Sequence, residues 1–251
     1  MKSLERFNSQ ITLLVAVVAI VWSEILLVRG QYLSGILLYS TLLLVLLTYG
    51  AYRWEHPQRY LIVLAIPPII RILNFTLPLG NLEPLFAQVV ISVPLVLVGA
   101  VYVWLFNEDR STFVFKRREL TAYLVMIALG CIMGLLLYQF KRPASLPGSS
   151  LLLFFFYAFV LIFAMAFVEE WLFRGIMQTE LTRLLGRNFA SLIVSILYTT
   201  LQINNNSWIF VAVIFVFAWG LSWLRSRTYN LLYVCLIHGA ANLIFFLILP
   251  R

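Results

Sequence analysis

The stretch "LLLFFFYAFVLIFAMAFVEEWLFR", residues 151–174, decides the class of this protein. Every residue from 151 to 168 is hydrophobic, and a run of about 18 such residues or more is long enough to cross a hydrocarbon core of roughly 30 Å as a helix. Two glutamates and an arginine follow directly. Charged side chains are costly inside a membrane and tend to mark function there, so the stretch predicts a transmembrane helix with a functional site.

The composition extends this prediction to the whole chain. Hydrophobic residues make up 63% of the 251 residues and charged residues only 11%, and the mean hydropathy of +0.96 exceeds what a soluble core needs. The apolar runs are about 20 residues long, whereas a transmembrane barrel would show shorter alternating segments. We therefore expect an all-α, polytopic transmembrane helix bundle, an integral multi-pass membrane protein in contact with membrane lipids.

The apolar runs predict eight or nine spans, depending on whether two runs merge. The nine-span arrangement places them at 9–28, 31–52, 60–80, 86–106, 119–140, 150–182, 188–203, 208–224 and 229–249. With the N-terminus in the cytoplasm, this arrangement puts most Lys and Arg residues of the loops on the cytoplasmic side, as the positive-inside rule requires. A partial or re-entrant helix is an alternative near 67–80, where "PPIIRILNFTLP" holds three prolines.

A boundary between two blocks is predicted at "KRPASLPGSS", residues 141–150, because its prolines, glycine and serines end one span and begin the next. The first block, 1–145, would hold about five helices, and the second, 150–251, about four. Glu24 and Arg71 are ionisable residues within spans of the first block. Each needs a partner inside the membrane, and a Glu24–Arg71 pair is one way to supply it.

The second block carries polar residues in pairs four residues apart, a spacing that puts both side chains on one helix face. Glu170 and Arg174 form one such pair within salt-bridge reach, while Glu169 is rotated by about 100° and lacks a local partner. The spacing recurs in two later spans, at Tyr198 and Gln202 and at His238 and Asn242.

The helical rise predicts that these pairs lie at similar depth. At about 1.5 Å per residue, Glu169 and Gln202 lie roughly 21 Å, and His238 roughly 16 Å, from the cytoplasmic ends of their spans. If the three helices turn these faces inward, they enclose one polar pocket within the membrane.

These residues resemble the motifs of a known family. The segment "EEWLFR" resembles the EExxxR signature of the CPBP family, the CAAX prenyl endopeptidases and bacteriocin-processing proteins also called Abi, and "HGAAN" resembles its HxxxN motif. The family's FxxxH motif corresponds to "YTTLQ", 198–202, where Gln202 stands in place of histidine. The resemblance covers residues 150 to 250.

The resemblance implies an intramembrane endopeptidase that hydrolyses a peptide bond of a membrane-associated substrate. By position, Glu169 would activate the water as general base, and Glu170 with Arg174 would be the supporting pair. His238 and Asn242 would stabilise the oxyanion. A prenylated CAAX tail, a bacteriocin leader or another membrane protein would each fit such a site as substrate.

The donor set bears on whether this chain uses a metal, because the family has been described both as metalloproteases and as metal-free glutamate peptidases. Catalytic zinc usually takes three protein ligands. With Gln202 at the second motif, only His238 and the glutamates remain, since the other histidine, His56, lies in a predicted loop. The sequence therefore predicts no metal and no cofactor, although the family resemblance leaves zinc as an alternative.

Other functions compete with the peptidase. A family member weakened or inactivated by Gln202 could bind a membrane protein partner or act as a scaffold, and the polar pairs could be structural contacts between helices. A transporter would also bury charges, but no inverted repeat is found. Nucleic-acid binding is disfavoured because the basic residues, which give a net charge of +8, lie at span ends instead of forming one patch.

Overall fold

The computed structural model describes residues 2–52, 58–77, 82–106, 119–143, 150–203 and 207–250. Within these ranges the chain forms helices and no strands, which confirms the predicted all-α class. The helices are α1 (Lys2–Val28), α2 (Tyr32–Ala51), α3 (Arg59–Val63), α4 (Ile66–Thr76), α5 (Pro84–Phe106), α6 (Leu120–Phe140), α7 (Leu151–Leu185), α8 (Arg187–Thr200), α9 (Trp208–Thr228) and α10 (Leu231–Ile248).

Eight segments of the described chain are helical, long and apolar enough to cross a membrane, with α3 and α4 together forming one of them. They confirm eight of the nine predicted spans and a polytopic, integral membrane protein. The exception is 188–203, which forms α8, a helix of 14 residues. At about 1.5 Å per residue this helix is roughly 21 Å long, too short for a hydrocarbon core of about 30 Å.

The predicted span 60–80 is divided into α3 and α4, and the proline-rich segment from residue 67 begins in the first turn of α4, so the re-entrant alternative stays a prediction. The chain turns at Leu64 and Ala65 between α3 and α4. Pro67 and Pro68 lie in the first turn of α4, where a missing N–H breaks no helical hydrogen bond.

Two compact units are distinguished by the contacts within the chain. Unit 1 consists of Met1–Pro78 and Ile176–Ser226, and unit 2 of Leu79–Gly175 and Arg227–Arg251. The boundaries therefore fall after α4, inside α7 and near the end of α9. The division into blocks 1–145 and 150–251 stays a prediction.

Unit 1 buries an ion pair between α1 and α4. Arg71 Nε donates to Glu24 Oε2 at 2.7 Å, and Arg71 Nη2 donates to Glu24 Oε1. The hydroxyl of Tyr39, on α2, donates to Glu24 Oε2 at 2.9 Å. The predicted Glu24–Arg71 pair is thus confirmed.

Unit 2 packs α6 closely against α10 through two glycines. A Cβ atom placed on Gly134 would lie 2.7 Å from the carbonyl oxygen of Ala241, and one on Gly130 would collide with the carbonyl oxygen of Ile237. Gly-x-x-x-Gly spacing is known to allow such close backbone approach between membrane helices. The contact bears on the predicted site because Ile237 and Ala241 directly precede His238 and Asn242.

Candidate functional site

Helix α7 changes its winding on both sides of the two adjacent glutamates. A π-helical segment, Val160–Phe167, precedes the short α-helical segment Val168–Glu170, and a second π-helical segment, Trp171–Met177, follows it. π-Helical turns are rare and recur at functional sites. Two carbonyl groups of the first segment accept side-chain hydrogen bonds from other helices of unit 2.

Those two hydrogen bonds come from α5 and α10. Ser92 Oγ donates to the carbonyl oxygen of Ala164, and Asn242 Nδ2 donates to that of Leu161 at 3.4 Å. The second contact is long for a hydrogen bond and therefore weak. Asn242 thus lies against the π-helical backbone, with its amide only weakly engaged.

Glu170 is at the centre of a buried ion-pair network. Its side chain and that of Arg174 are both 0% exposed, and Arg174 Nη1 lies 3.1 Å from Glu170 Oε1. His238 Nδ1 donates to the same oxygen at 2.7 Å. The predicted i, i+4 pair forms, and α10 is joined to it by a histidine.

Glu169 differs from its neighbour in exposure and in contacts. Its side chain is 20% exposed, and its Oε2 lies 4.0 Å from His238 Nε2. The two ring nitrogens of His238 therefore face two different glutamates. Glu169 is the more accessible carboxylate of the two, as expected for the one that would contact water or substrate.

The structure thus brings five of the six predicted site residues together in unit 2. Direct contacts join the side chains of Glu170, Arg174 and His238. Glu169 approaches the His238 ring, and Asn242 lies one turn further along α10 on the π-helical segment. Their catalytic roles stay predictions.

Gln202, the sixth residue, lies outside any helix. Helix α8 ends at Thr200. In the turn that follows, the backbone N–H of Gln202 donates to the carbonyl oxygen of Thr199 at 2.9 Å. The prediction that Tyr198 and Gln202 share one helix face is therefore wrong, and the depth derived from helical rise does not apply to Gln202. The physical reason is the polar sequence "QINNN", 202–206, which follows the helix. Gln202 belongs to unit 1, and its membership of the site stays a prediction.

The available ligands do not fit a catalytic zinc site. Among the described residues, no three or more His, Cys, Asp or Glu side chains are grouped so that they could hold a metal ion. His238 Nδ1 is engaged with Glu170, so this ring offers one nitrogen, while catalytic zinc needs about three protein ligands. The other histidine of the sequence, His56, lies outside the described residues.

Three residues that shape the site were not found from the sequence. The glycine pair of "GCIMG", 130–134, carries a recognisable small-x-x-x-small signal that could have predicted the close packing of α6. Ser92 carries no such signal, because its role depends on a carbonyl group of another helix.

The comparisons with known proteins bear on the C-terminal part of the chain. A family model described as type II CAAX prenyl endopeptidase Rce1-like matches residues 150–244. This range contains the EEWLFR and HGAAN segments and all six predicted site residues. The match supports the assignment of the C-terminal part of this chain to the CPBP family. At the family level it is a protease segment, as the resemblance implied, and residues 1–149 lie outside the match.

The family assignment rests on that match together with the motifs. No curated protein matches the chain, and no solved structure matches it. The matched range contains all of α7, α8 and α9.

Proposed function

We propose that this protein is an intramembrane endopeptidase in which Glu169 activates a water molecule. The observation that carries the proposal is the position of His238 between two glutamates of unequal exposure. One ring nitrogen is fixed by buried Glu170, and the other points toward partly exposed Glu169. Histidine held in one orientation by a carboxylate is a recurring arrangement in hydrolytic sites.

The separation of Glu169 Oε2 and His238 Nε2, 4.0 Å, allows one water molecule to bridge the two atoms from the side. A water that makes hydrogen bonds of about 2.8 Å to both atoms would join them at an angle of roughly 90° when they lie 4.0 Å apart. That angle is somewhat narrower than the tetrahedral one and is compatible with two hydrogen bonds. The same water would then contact a general base and a polar ring.

The chemical steps follow from this position. Glu169 takes a proton from the water, and the resulting hydroxide adds to the scissile carbonyl carbon to give a tetrahedral oxyanion. His238, in the doubly protonated form that donates from Nδ1 to Glu170, donates from Nε2 to the oxyanion, and the side-chain amide of Asn242 donates to it as well. As the C–N bond breaks, Glu169 returns its proton to the leaving nitrogen, so the products are a free carboxylic acid and an amine.

Glu170 and Arg174 serve this reaction by holding His238. Both are fully buried, and their charges cancel, so the pair fixes the ring without adding net charge inside the membrane. The substrate is a protein or peptide anchored in the membrane, because the site residues lie on transmembrane helices. A lipidated CAAX-type tail is the substrate class that the family description favours.

A second candidate is favoured by Gln202, which occupies the position of the family's second histidine. Glutamine donates and accepts hydrogen bonds but does not transfer protons near neutral pH. If the missing histidine transfers a proton, its absence slows the reaction by about 10²–10⁴-fold. The protein would then act mainly by binding a membrane partner.

The test is a cleavage assay with purified protein in lipid vesicles and a panel of membrane-anchored peptides, some of them prenylated. The variants are Glu169→Gln, Gln202→His and, as a matched control on the same helix, Glu180→Gln. Among the described residues, Glu180 contacts Arg183 and Arg59 near the C-terminal end of α7 and none of the predicted site residues, so its replacement should leave cleavage unchanged.

Cleavage by wild type and by Glu180→Gln that vanishes in Glu169→Gln would support the peptidase. Cleavage that appears only in Gln202→His would favour the weakened member. No cleavage by any variant, together with a partner protein that co-purifies equally with wild type and Glu169→Gln, would overturn the peptidase and favour the binding role.

A further inference from the structure

The buried ion pair of unit 1 has a third partner beyond its two charged residues. Arg71 Nη2 donates to the carbonyl oxygen of Leu201 at 2.6 Å, across 130 positions of sequence. Leu201 caps the C-terminal end of α8 and directly precedes Gln202. Arg71, on α4, is therefore bound both to Glu24 and to the backbone beside the second-motif position.

The end of α8 needs such a partner for a physical reason. The last carbonyl groups of a helix have no intrahelical donor, and they carry the negative end of the helix dipole. Away from water, a carbonyl group without a hydrogen-bond donor is costly. A guanidinium donates a hydrogen bond to the carbonyl oxygen, and its positive charge is attracted to the negative end of the helix dipole. Leu201 is shielded in this way by a cation that is only 11% exposed.

Glu24 and Tyr39 reduce the energetic cost of placing the Arg71 charge inside a membrane. Glu24, which is 1% exposed, neutralises Arg71 through two hydrogen bonds. Tyr39 fixes the carboxylate from the other side. An ion pair that only joined α1 to α4 would require no contact with Leu201, so the third hydrogen bond calls for a separate explanation.

We propose that Arg71 is a positioning residue that fixes the end of α8 and thereby the place of Gln202. Glu24 and Tyr39 orient its guanidinium. This inference rests on the proposed function in so far as Gln202 takes part in the reaction. The N-terminal helices would then contribute to the peptidase by holding its second motif, although they carry none of its motifs.

The experiment separates positioning from a merely structural ion pair. In Glu24→Leu/Arg71→Met, both charges are removed, so neither is left buried and unpaired. In Glu24→Arg/Arg71→Glu, opposite charges are kept but a carboxylate faces Leu201. The control is Gln178→Met, which removes a buried side chain that donates to Ser191 near the start of α8 and not to its end.

Hydrogen exchange of backbone amides, measured by mass spectrometry on protein in lipid vesicles, reports how firmly the end of α8 is held. In both double variants, exchange at 199–203 should rise by about tenfold, while exchange at 187–195 stays as in wild type. Gln178→Met should leave 199–203 unchanged. Wild-type exchange at 199–203 in the charge-swapped variant would overturn the proposal, because the ion pair alone would then account for the structure.

Cleavage kinetics test the link to the reaction. If wild type cleaves a peptide, Glu24→Leu/Arg71→Met should lower kcat by about tenfold with KM unchanged, whereas Gln178→Met should not. An unchanged kcat despite faster exchange at 199–203 would overturn the link between Arg71 and the reaction. If wild type cleaves nothing, the peptidase proposal fails, and the exchange data alone decide whether Arg71 holds the end of α8.

Discussion

The contact between α6 and α10 makes the position of His238 sensitive to a single methyl group. In Gly134→Ala, the new Cβ would lie 2.7 Å from the Ala241 carbonyl oxygen, about 0.7 Å inside the 3.4 Å at which ordinary contact begins. If α10 moves by that amount, the 2.7 Å distance from His238 Nδ1 to Glu170 Oε1 changes by up to about 0.7 Å, which weakens or distorts this hydrogen bond. A displacement of this size in a catalytic site reduces kcat/KM by roughly 10²-fold.

The assay combines cleavage kinetics with thermal unfolding in the same lipid. Gly134→Ala should lose roughly 10²-fold in kcat/KM and about 1–3 kcal/mol in stability from overpacking. The control is Gly220→Ala on α9, where a Cβ meets nothing within 4 Å. At this position alanine should leave cleavage unchanged and keep or raise Tm, because alanine is more favourable than glycine in a helix by about 1 kcal/mol. Wild-type kcat/KM and Tm in Gly134→Ala would refute the reasoning.

Three further predictions concern buried polar contacts. Arg174→Ala should lower the folded yield in detergent, at a cost of about 3–5 kcal/mol in stability, because it leaves the fully buried carboxylate of Glu170 without its cation. Glu169→Gln should leave the yield nearly unchanged. Equal losses of yield in both variants would contradict the structural role assigned to Arg174 and the chemical role assigned to Glu169. Tyr39→Phe should lower the free energy of unfolding by about 1 kcal/mol, measured by Tm, through loss of its hydrogen bond to Glu24. Ser92→Ala should lower kcat/KM severalfold with a shift in Tm worth about 1 kcal/mol, and an unaltered rate would show that the π-helical turn needs no donor from α5.

Hydropathy predicted most of the fold because the membrane leaves few alternatives. A long apolar run must satisfy its backbone internally, so it forms a helix whatever its neighbours do. The same reasoning failed for 188–203, where an apolar run is followed by polar residues and forms the 14-residue helix α8. Hydropathy averaged over a span did not detect where that helix stops.

The site could be predicted as far as it depends on local spacing. Glu170 and Arg174 pair as i, i+4 residues should, even though Arg174 lies in a π-helical segment. The first π-helical segment, Val160–Phe167, could not be predicted, because two of its carbonyl groups accept hydrogen bonds from Ser92 and Asn242 on other helices. The contact from His238 to Glu170 likewise depends on how α10 packs against the rest of unit 2.

The different surroundings of two adjacent glutamates explain how one short segment can provide both structure and chemistry. Glu170 is fully buried and touches both Arg174 and His238, so its charge is compensated, and its removal would release two partners at once. Glu169 is one-fifth exposed, and its Oε2 lies 4.0 Å from His238 Nε2, so it makes no direct hydrogen bond to the ring. Because Glu170 already holds the ring, Glu169 need not hold it and can exchange protons. In the proposed mechanism, Glu170 therefore orients His238, and Glu169 takes the proton from water and returns it to the leaving nitrogen.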